Sequence, residues 1–277
     1  MRQVPFTHYL VIGNGRMARH FCHYLSLLNL PFQTWNRRQY DELSLQQALL
    51  TASHVVVLIN DAAIESFAQR WQTRQIYPRS GGERSSNRSV HKVHDYCENR
   101  EANNTEDSSV KDLSQVWVHF SGQKTISKVF GCHPLMTFTH QLYDLPTYQS
   151  VPFILTDNAI SFSDLLPKLP NQSQLISADL KTFYHALCVI SGNFTCLVWQ
   201  KFFHELTETF QIPHTIAVPY FKQIMQNILT DPTNCLTGPL VRGDKPTIGA
   251  HLKALQNDDF SSIYQAVLHY FTERATA

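Results

Sequence analysis

The sequence has little charge and no excess of either sign. Only 16% of its 277 residues are charged, and Lys+Arg 23 against Asp+Glu 22 leave a formal net charge of +1. That balance gives no electrostatic ground for nucleic acid or an anionic membrane as the main partner. Long apolar runs are missing too. The longest candidate, Ala186 to Trp199, is interrupted by Ser191, Gly192, Asn193 and Thr195, short of the roughly 20 residues that cross a bilayer, so no membrane partner is expected. Tyr9-Leu10-Val11-Ile12 runs straight into Gly13-Asn14-Gly15-Arg16 with no small-residue cleavage site, which argues against a secretory leader. There is no C-x-x-C pair among Cys22, Cys97, Cys132, Cys188, Cys196 and Cys235; scattered in apolar surroundings, they read as small core residues of a cytoplasmic protein. His91-Lys92-Val93-His94-Asp95-Tyr96-Cys97 spaces donors three residues apart but lacks a fourth ligand, so no metal is expected.

What is present is 43% hydrophobic residues in a chain of 277, a length sufficient for one large or two ordinary domains. The first third alternates short apolar runs with helical patterns. Strands are expected at His8 to Ile12, Phe32 to Trp35, Val55 to Asn60, Val116 to Phe120 and Val129 to Cys132, and helices at Met17 to Leu28, Asp41 to Leu50 and Asp61 to Trp71, with Asp61 as cap. Five strands alternating with helices specify an α/β fold, a Rossmann-like doubly wound parallel sheet. Residues 78–114, rich in Ser, Asn, Arg and Glu, break the pattern and read as a flexible polar insertion.

Beyond it, Val151 to Thr156, Ser163 to Leu169 and Gln174 to Ser177 read as a strand, a short helix and a strand bridging two domains. Asp179 to Phe210 is apolar almost all round, the pattern of a long helix buried on several sides. Ile216 to Leu229, Pro246 to Leu255 and Phe260 to Arg274 add three helices, Asp244 capping the second. The expected division is 1–177, nucleotide-binding, and 178–277, all-α. The apolar surface of the helical part exceeds what one chain of its size hides, so a homodimer through that part is expected.

Gly13-Asn14-Gly15-Arg16-Met17-Ala18 follows the first strand and opens the first helix, the context in which G-x-G-x-x-G/A carries meaning. The first glycine permits the tight turn and the second lets the backbone approach a pyrophosphate at the helix N-terminus. At the end of the second strand, where an NAD enzyme places Asp or Glu, the chain has Asn36, Arg37 and Arg38. Two guanidinium groups suit a 2′-phosphate, so NADP is expected over NAD, unless both are simply solvated. Asn60, ending the third strand, completes the expected cofactor set.

These motifs, with Ser121-Gly122, Gly131-Cys132-His133-Pro134-Leu135, Tyr184-His185-Ala186, Asn193 and Leu236-Thr237-Gly238-Pro239-Leu240-Val241-Arg242-Gly243-Asp244, resemble a largely uncharacterised group of bacterial proteins. These join a Rossmann-like NADP-binding oxidoreductase domain to a helical domain of the 6-phosphogluconate dehydrogenase C-terminal type. Pyrroline-5-carboxylate reductase, ketopantoate reductase, β-hydroxyacid dehydrogenases and prephenate dehydrogenase are similar at greater distance. The resemblance implies NADP as cofactor and oxidoreductase activity. The catalytic lysine that β-hydroxyacid dehydrogenases carry one turn before an asparagine is not matched, since Val189 stands four before Asn193.

Ligands of an open α/β sheet bind outside the strands' carboxyl ends, which singles out Ser121 and His133 as catalytic candidates. An imidazole can exchange a proton with a substrate oxygen as hydride moves, or His133 can simply bond a loop carbonyl. Tyr184 and His185 begin a stripe on the long helix and join that set. Asn193 needs a polar partner, substrate or backbone. Arg242 can present itself to a substrate carboxylate or phosphate, or pair with Asp244. The expected function is an NADP-dependent oxidoreductase acting on a small anionic carbonyl, imine or hydroxyl compound in the interdomain cleft. The alternative is a catalytically silent NADP-binding sensor or interaction protein.

Overall fold

The computed structural model describes residues 7–72, 115–156 and 160–276, without the side chains of 274–276. The expected insertion 78–114 and the His91 to Cys97 run lie outside the described residues. Two compact units divide at Thr195 and Cys196, so the first turns of the long helix belong with the sheet instead of separating from it at 177.

The sheet unit is built from β1 (Tyr9–Ile12), α1 (Arg16–Leu27), β2 (Phe32–Trp35), α2 (Glu42–Thr51), β3 (His54–Val57), α3 (Asp61–Gln72), β4 (Val116–His119) and β5 (Phe130–Pro134). These are followed by α4 (Leu145–Ser150), β6 (Phe153–Thr156), α5 (Phe162–Leu165) and β7 (Ser173–Ile176). The strands form one seven-stranded sheet in the order β2-β1-β3-β4-β5-β6-β7. β1 to β5 are mutually parallel, β6 runs antiparallel to β5, and β7 is parallel to β6. The last two strands therefore extend the sheet and do not bridge domains: Phe153 and Leu155 join the same core cluster as Val118 and Cys132.

Alternation within each strand splits the core between two faces. Tyr9, Val11, Val56 and Val118 pack with Phe21, Tyr24 and Leu25 of α1 on one side. Leu10, Ile12, Val55, Val57 and Trp117 pack with Leu45 and Leu49 of α2 and Ile64, Ala68 and Trp71 of α3 on the other. Short acidic or hydroxyl side chains start several helices. Asp41 accepts from the Ser44 amide of α2, Asp144 from Thr147 of α4 and Ser161 from Asp164 of α5. Buried polar groups on the first face are paired. The Asn171 amide donates to the carbonyls of Tyr148 (2.7 Å) and Val151 (2.9 Å) and accepts from the Tyr24 hydroxyl (2.7 Å).

From Ala178 to Glu208 the chain is one helical run. It comprises a 3-10 turn at Ala178–Leu180, α6 (Lys181–Cys188), a π-helical stretch Val189–Phe194 and α7 (Thr195–Glu208). By length and composition it meets the test for a membrane span, contrary to the expectation from the apolar runs alone, because the polar residues 191–195 do not interrupt the helix. The expected burial of this helix on several sides is not found: Phe183, Phe194 and Leu197 are more than half exposed. The second unit continues with α8 (Val218–Thr230), a single turn α9 (Pro239–Arg242), α10 (Lys245–Ala254) and α11 (Ser261–Thr276). Trp199 packs edge-on against Phe221 there, ring centroids 4.8 Å apart, and Lys201 pairs with Glu205 (2.8 Å) and Asp258 (2.9 Å). As expected, Asp244 caps α10 through the Thr247 amide.

Substituting Asn171→Leu strands two carbonyls and a phenolic hydroxyl in the sheet unit's core, and should lower unfolding free energy by about 2–4 kcal/mol in urea titration.

Candidate functional site

Parallel pairing of β1 to β5 brings their carboxyl ends to one edge. At the first of these, Gly13 has φ +124, and a Cβ on it would lie 2.2 Å from the Leu58 carbonyl oxygen. Both features restrict the position to glycine. Its amide donates to the Trp35 carbonyl, tying the turn to β2. Gly15 then starts α1 with no side-chain cap and open space where its Cβ would be, so the orphan amides of the helix start are not satisfied by a local side chain. Asn14, Gly15 and Arg16 are exposed, whereas the Met17 side chain packs against the core. Arg16 donates to the Phe138 carbonyl. Ala18 is buried against the sheet, as close helix packing requires.

At the end of β2, Asn36 is buried and held in its own turn, donating to Gln39 and accepting from the Arg38 amide. Arg37 and Arg38 are exposed. Asn60, not Asp61, caps α3, accepting from the Ala62 amide (3.0 Å). The Asp61 carboxylate is thereby left to accept from the Ser121 hydroxyl at 2.5 Å. The Ser121 oxygen also accepts from the Lys124 amide, so this side chain shapes the loop after β4.

Four catalytic candidates drawn from the sequence meet around that loop. The His133 Nδ1 lies 2.9 Å from the Tyr184 hydroxyl. The His133 ring also stands edge-to-face with His185, centroids 5.6 Å apart at 87°. The His185 ring abuts Gly122 through its Cδ2, from which a Cβ would fall 2.1 Å; any larger residue there would displace the imidazole. Burial, then the neighbouring His185 and Lys181, lower the His133 pKa to about 4, against an opposing pull from Asp61. The ring is neutral at pH 7. Burial raises the Tyr184 hydroxyl well above the usual phenol range, helped by Cys188.

Two side chains missed in the sequence, Lys181 and His119, complete the cluster around Gly131. Lys181 opens α6, is 2% exposed and donates to the Lys124 carbonyl. Gly131 makes room for it, since a Cβ there would be 2.2 Å from the ammonium nitrogen. His119, at the end of β4, is fully buried; its Nδ1 accepts from the Ser121 amide and its Nε2 has no partner. Burial, seconded by Lys181, lowers its pKa to about 3. The readable signal was Lys181 itself, a lysine in the first turn of an apolar helix.

Two further candidates are Asn193 and Arg242. Asn193 sits exposed in the π-helical stretch. Arg242 belongs to the second unit, largely exposed, 3.9 Å from the Asp244 carboxylate that caps α10. Among the described residues no His, Cys, Asp and Glu group is arranged to hold a metal.

Sheet and glycine turn together define a Rossmann-type fold, and solved structures share it along nearly the whole chain. A Bacteroides fragilis protein provisionally described as an NADP oxidoreductase is 19% identical with TM-score 0.64, covering 96% of this chain and 98% of its own. The imine reductase of Streptomyces aurantiacus is 13% identical with TM-score 0.59, covering 98% and 95%. The Plasmodium falciparum pyrroline carboxylate reductase with NADP bound is 10% identical with TM-score 0.53, covering 97% of each. At such identities the likeness is one of fold. Residues 158–270 match the model of DUF2520, a domain of unknown function, in agreement with the family resemblance carried by the sequence motifs. No curated protein is significantly similar.

The neutral imidazoles give stability a defined pH dependence. The unfolded chain takes up protons on His119 and His133 as pH falls through about 6.5, while the folded chain resists until about 3 and about 4. Their contribution is complete above pH 6.5 and is lost as pH falls toward those values. Urea titrations from pH 7 to 4 should show decreasing stability, with a shallower slope in His133→Asn.

Proposed function

We propose that the chain is an NADP-dependent oxidoreductase that moves a hydride between nicotinamide and a small carbonyl, imine or hydroxyl compound carrying an anionic group. The observation that carries this reading is the His133–Tyr184 hydrogen bond, set with His185 beside the Ser121-Gly122 loop on the same sheet edge as the Gly13 turn. The residues fit a dinucleotide. Gly13 and Gly15 allow backbone approach, the uncapped start of α1 offers amides to a pyrophosphate, and Arg37 and Arg38 are free to meet a 2′-phosphate. The NADP in the name of the pyrroline carboxylate reductase structure points the same way.

Bound NADPH would supply the hydride, and the chain supplies hydrogen bonding and positioning. With Tyr184 donating to Nδ1, the His133 proton sits on Nε2, where it can donate a hydrogen bond that polarises the substrate oxygen or nitrogen as the hydride arrives. Neutrality at pH 7 makes His133 a hydrogen-bond donor rather than a cation. Gly122 keeps the His185 ring in place beside it, and Asp61 holds the loop through Ser121. Asn193 and Arg242 remain candidates for holding the substrate's anionic group.

The same reading includes a homodimer and a cytoplasmic setting. Among the described residues of the second unit only Leu206 and Ala217 are buried apolar residues, while Leu229 is 79% exposed, an apolar surface that a second copy would cover. The described cysteines Cys22, Cys132, Cys188, Cys196 and Cys235 are free thiols, which suits a reducing compartment.

Tryptophan-to-nicotinamide energy transfer should show tight NADPH and weak NADH binding, and Gly13→Ala should abolish both while circular dichroism is retained. Loss of the NADPH preference would leave Arg37 and Arg38 as solvated residues. NADPH binding with no turnover of any carbonyl, imine or alcohol would favour the silent sensor. Light scattering at micromolar concentration should give twice the chain mass; a monomer removes the dimer.

A further inference from the structure

Lys181 breaks two ordinary preferences together. An ammonium at the start of a helix meets the positive end of the helix dipole, and a buried ammonium loses its hydration. Lys181 is the first residue of α6 and is 2% exposed. Its hydrogen-bond acceptor is a backbone carbonyl, that of Lys124, and among the described residues no carboxylate is within ion-pair distance of it. The niche is specific to it: Gly131 lacks the Cβ that would collide with the ammonium, and the His119 ring and the Thr156 hydroxyl stand at 3.4 Å from that same point.

Of the groups facing this charge, the Asp61 carboxylate opposes it and the imidazoles and thiol are neutral. From β4 comes His119, and from β5 His133, both held neutral by burial and by Lys181 itself. Cys132 of β5 is a fully buried thiol that burial keeps protonated. From α3 comes Asp61, whose carboxylate accepts from Ser121. A charge in so dry a niche is weakly screened, and His133, which bonds Tyr184, lies within its field.

We propose that Lys181 is a specificity-determining residue: its buried positive charge selects a substrate that carries or develops negative charge on oxygen, a 2-oxo or 2-hydroxy acid, and disfavours a cationic iminium. This narrows the carbonyl, imine or hydroxyl range and rests on the oxidoreductase reading above. The reaction balances as hydride from NADPH to the carbonyl carbon and a proton from solvent water to its oxygen, giving a hydroxy acid and NADP. As the C=O bond is reduced, charge accumulates on oxygen, and a preorganised positive potential stabilises it. An iminium bound at the same place is repelled before hydride arrives. The fold is shared with an imine reductase, so fold alone does not predict this preference.

The test compares NADPH oxidation by the full chain with glyoxylate, pyruvate and 2-oxobutyrate against 2-methyl-1-pyrroline and 3,4-dihydroisoquinoline. The wild type should favour the oxo acids. Lys181→Met should lower the ratio of oxo-acid to imine kcat/KM by at least about tenfold, with NADPH binding retained. Gly131→Ala, which keeps the lysine but displaces its ammonium, should shift the ratio in the same direction if Lys181→Met does not fold. Because burial draws the Lys181 pKa down to about 8, against Cys132 and Asp61, wild-type kcat/KM on oxo acids should fall above that pH. Lys181→Met should lack this limb, which loss of packing alone would not remove. A wild type that prefers the imines, an unchanged ratio in both variants, or NADPH binding with turnover of neither class overturns the proposal. Absence of NADPH binding overturns the oxidoreductase reading on which it rests.

Discussion

Five parallel strands with both faces covered leave one place where backbone and polar side chains can meet a ligand, the edge formed by their carboxyl ends. The Gly13 turn, the Asn60 cap, the Ser121-Gly122 loop and His133 all lie along it because β1, β3, β4 and β5 share a direction. The tightest point is between β1 and β3, where Gly13 meets the Leu58 carbonyl. The chain leaves β1 to form β2 on one side and then returns to form β3 on the other, and that divergence opens a crevice of the kind in which open α/β sheets bind ligands.

Close packing around small residues governs the chemistry. Gly13 admits a carbonyl, Gly122 an imidazole and Gly131 an ammonium. Each absent methyl group positions a polar atom in space otherwise filled by apolar side chains. Desolvation then sets protonation: the two imidazoles nearest the sheet edge are neutral because burial penalises their charged form, and Lys181 reinforces this. The cation of the cluster is therefore Lys181 and not a histidine, with the Asp61 carboxylate opposing it.

Much of the fold was legible. The strand patterns and helical spacing located every element of the first third within a few residues, because parallel strands covered on both sides need continuous apolar runs, as at Val55-Val56-Val57. The positions of β6 and β7 were also legible, but not their partners: Val151 to Thr156 states that a strand forms, while pairing to β5 depends on residues far away in sequence. Of the site, Ser121, His133, Tyr184 and His185 were found from their places after strands and on the long helix. Asp61 was read as a cap because capping is a local rule, whereas its bond to Ser121 spans sixty residues.

The sequence by itself determined the α/β class, the glycine turn and the side chains available to the sheet edge, since these follow from local periodicity and steric limits. Only the tertiary structure decided that Lys181 is buried on Gly131, that His119 lacks a partner at Nε2 and that the long helix leaves much of its apolar surface exposed. Burial and charge environment are sums over neighbours brought together from distant segments, and no local pattern contains those sums.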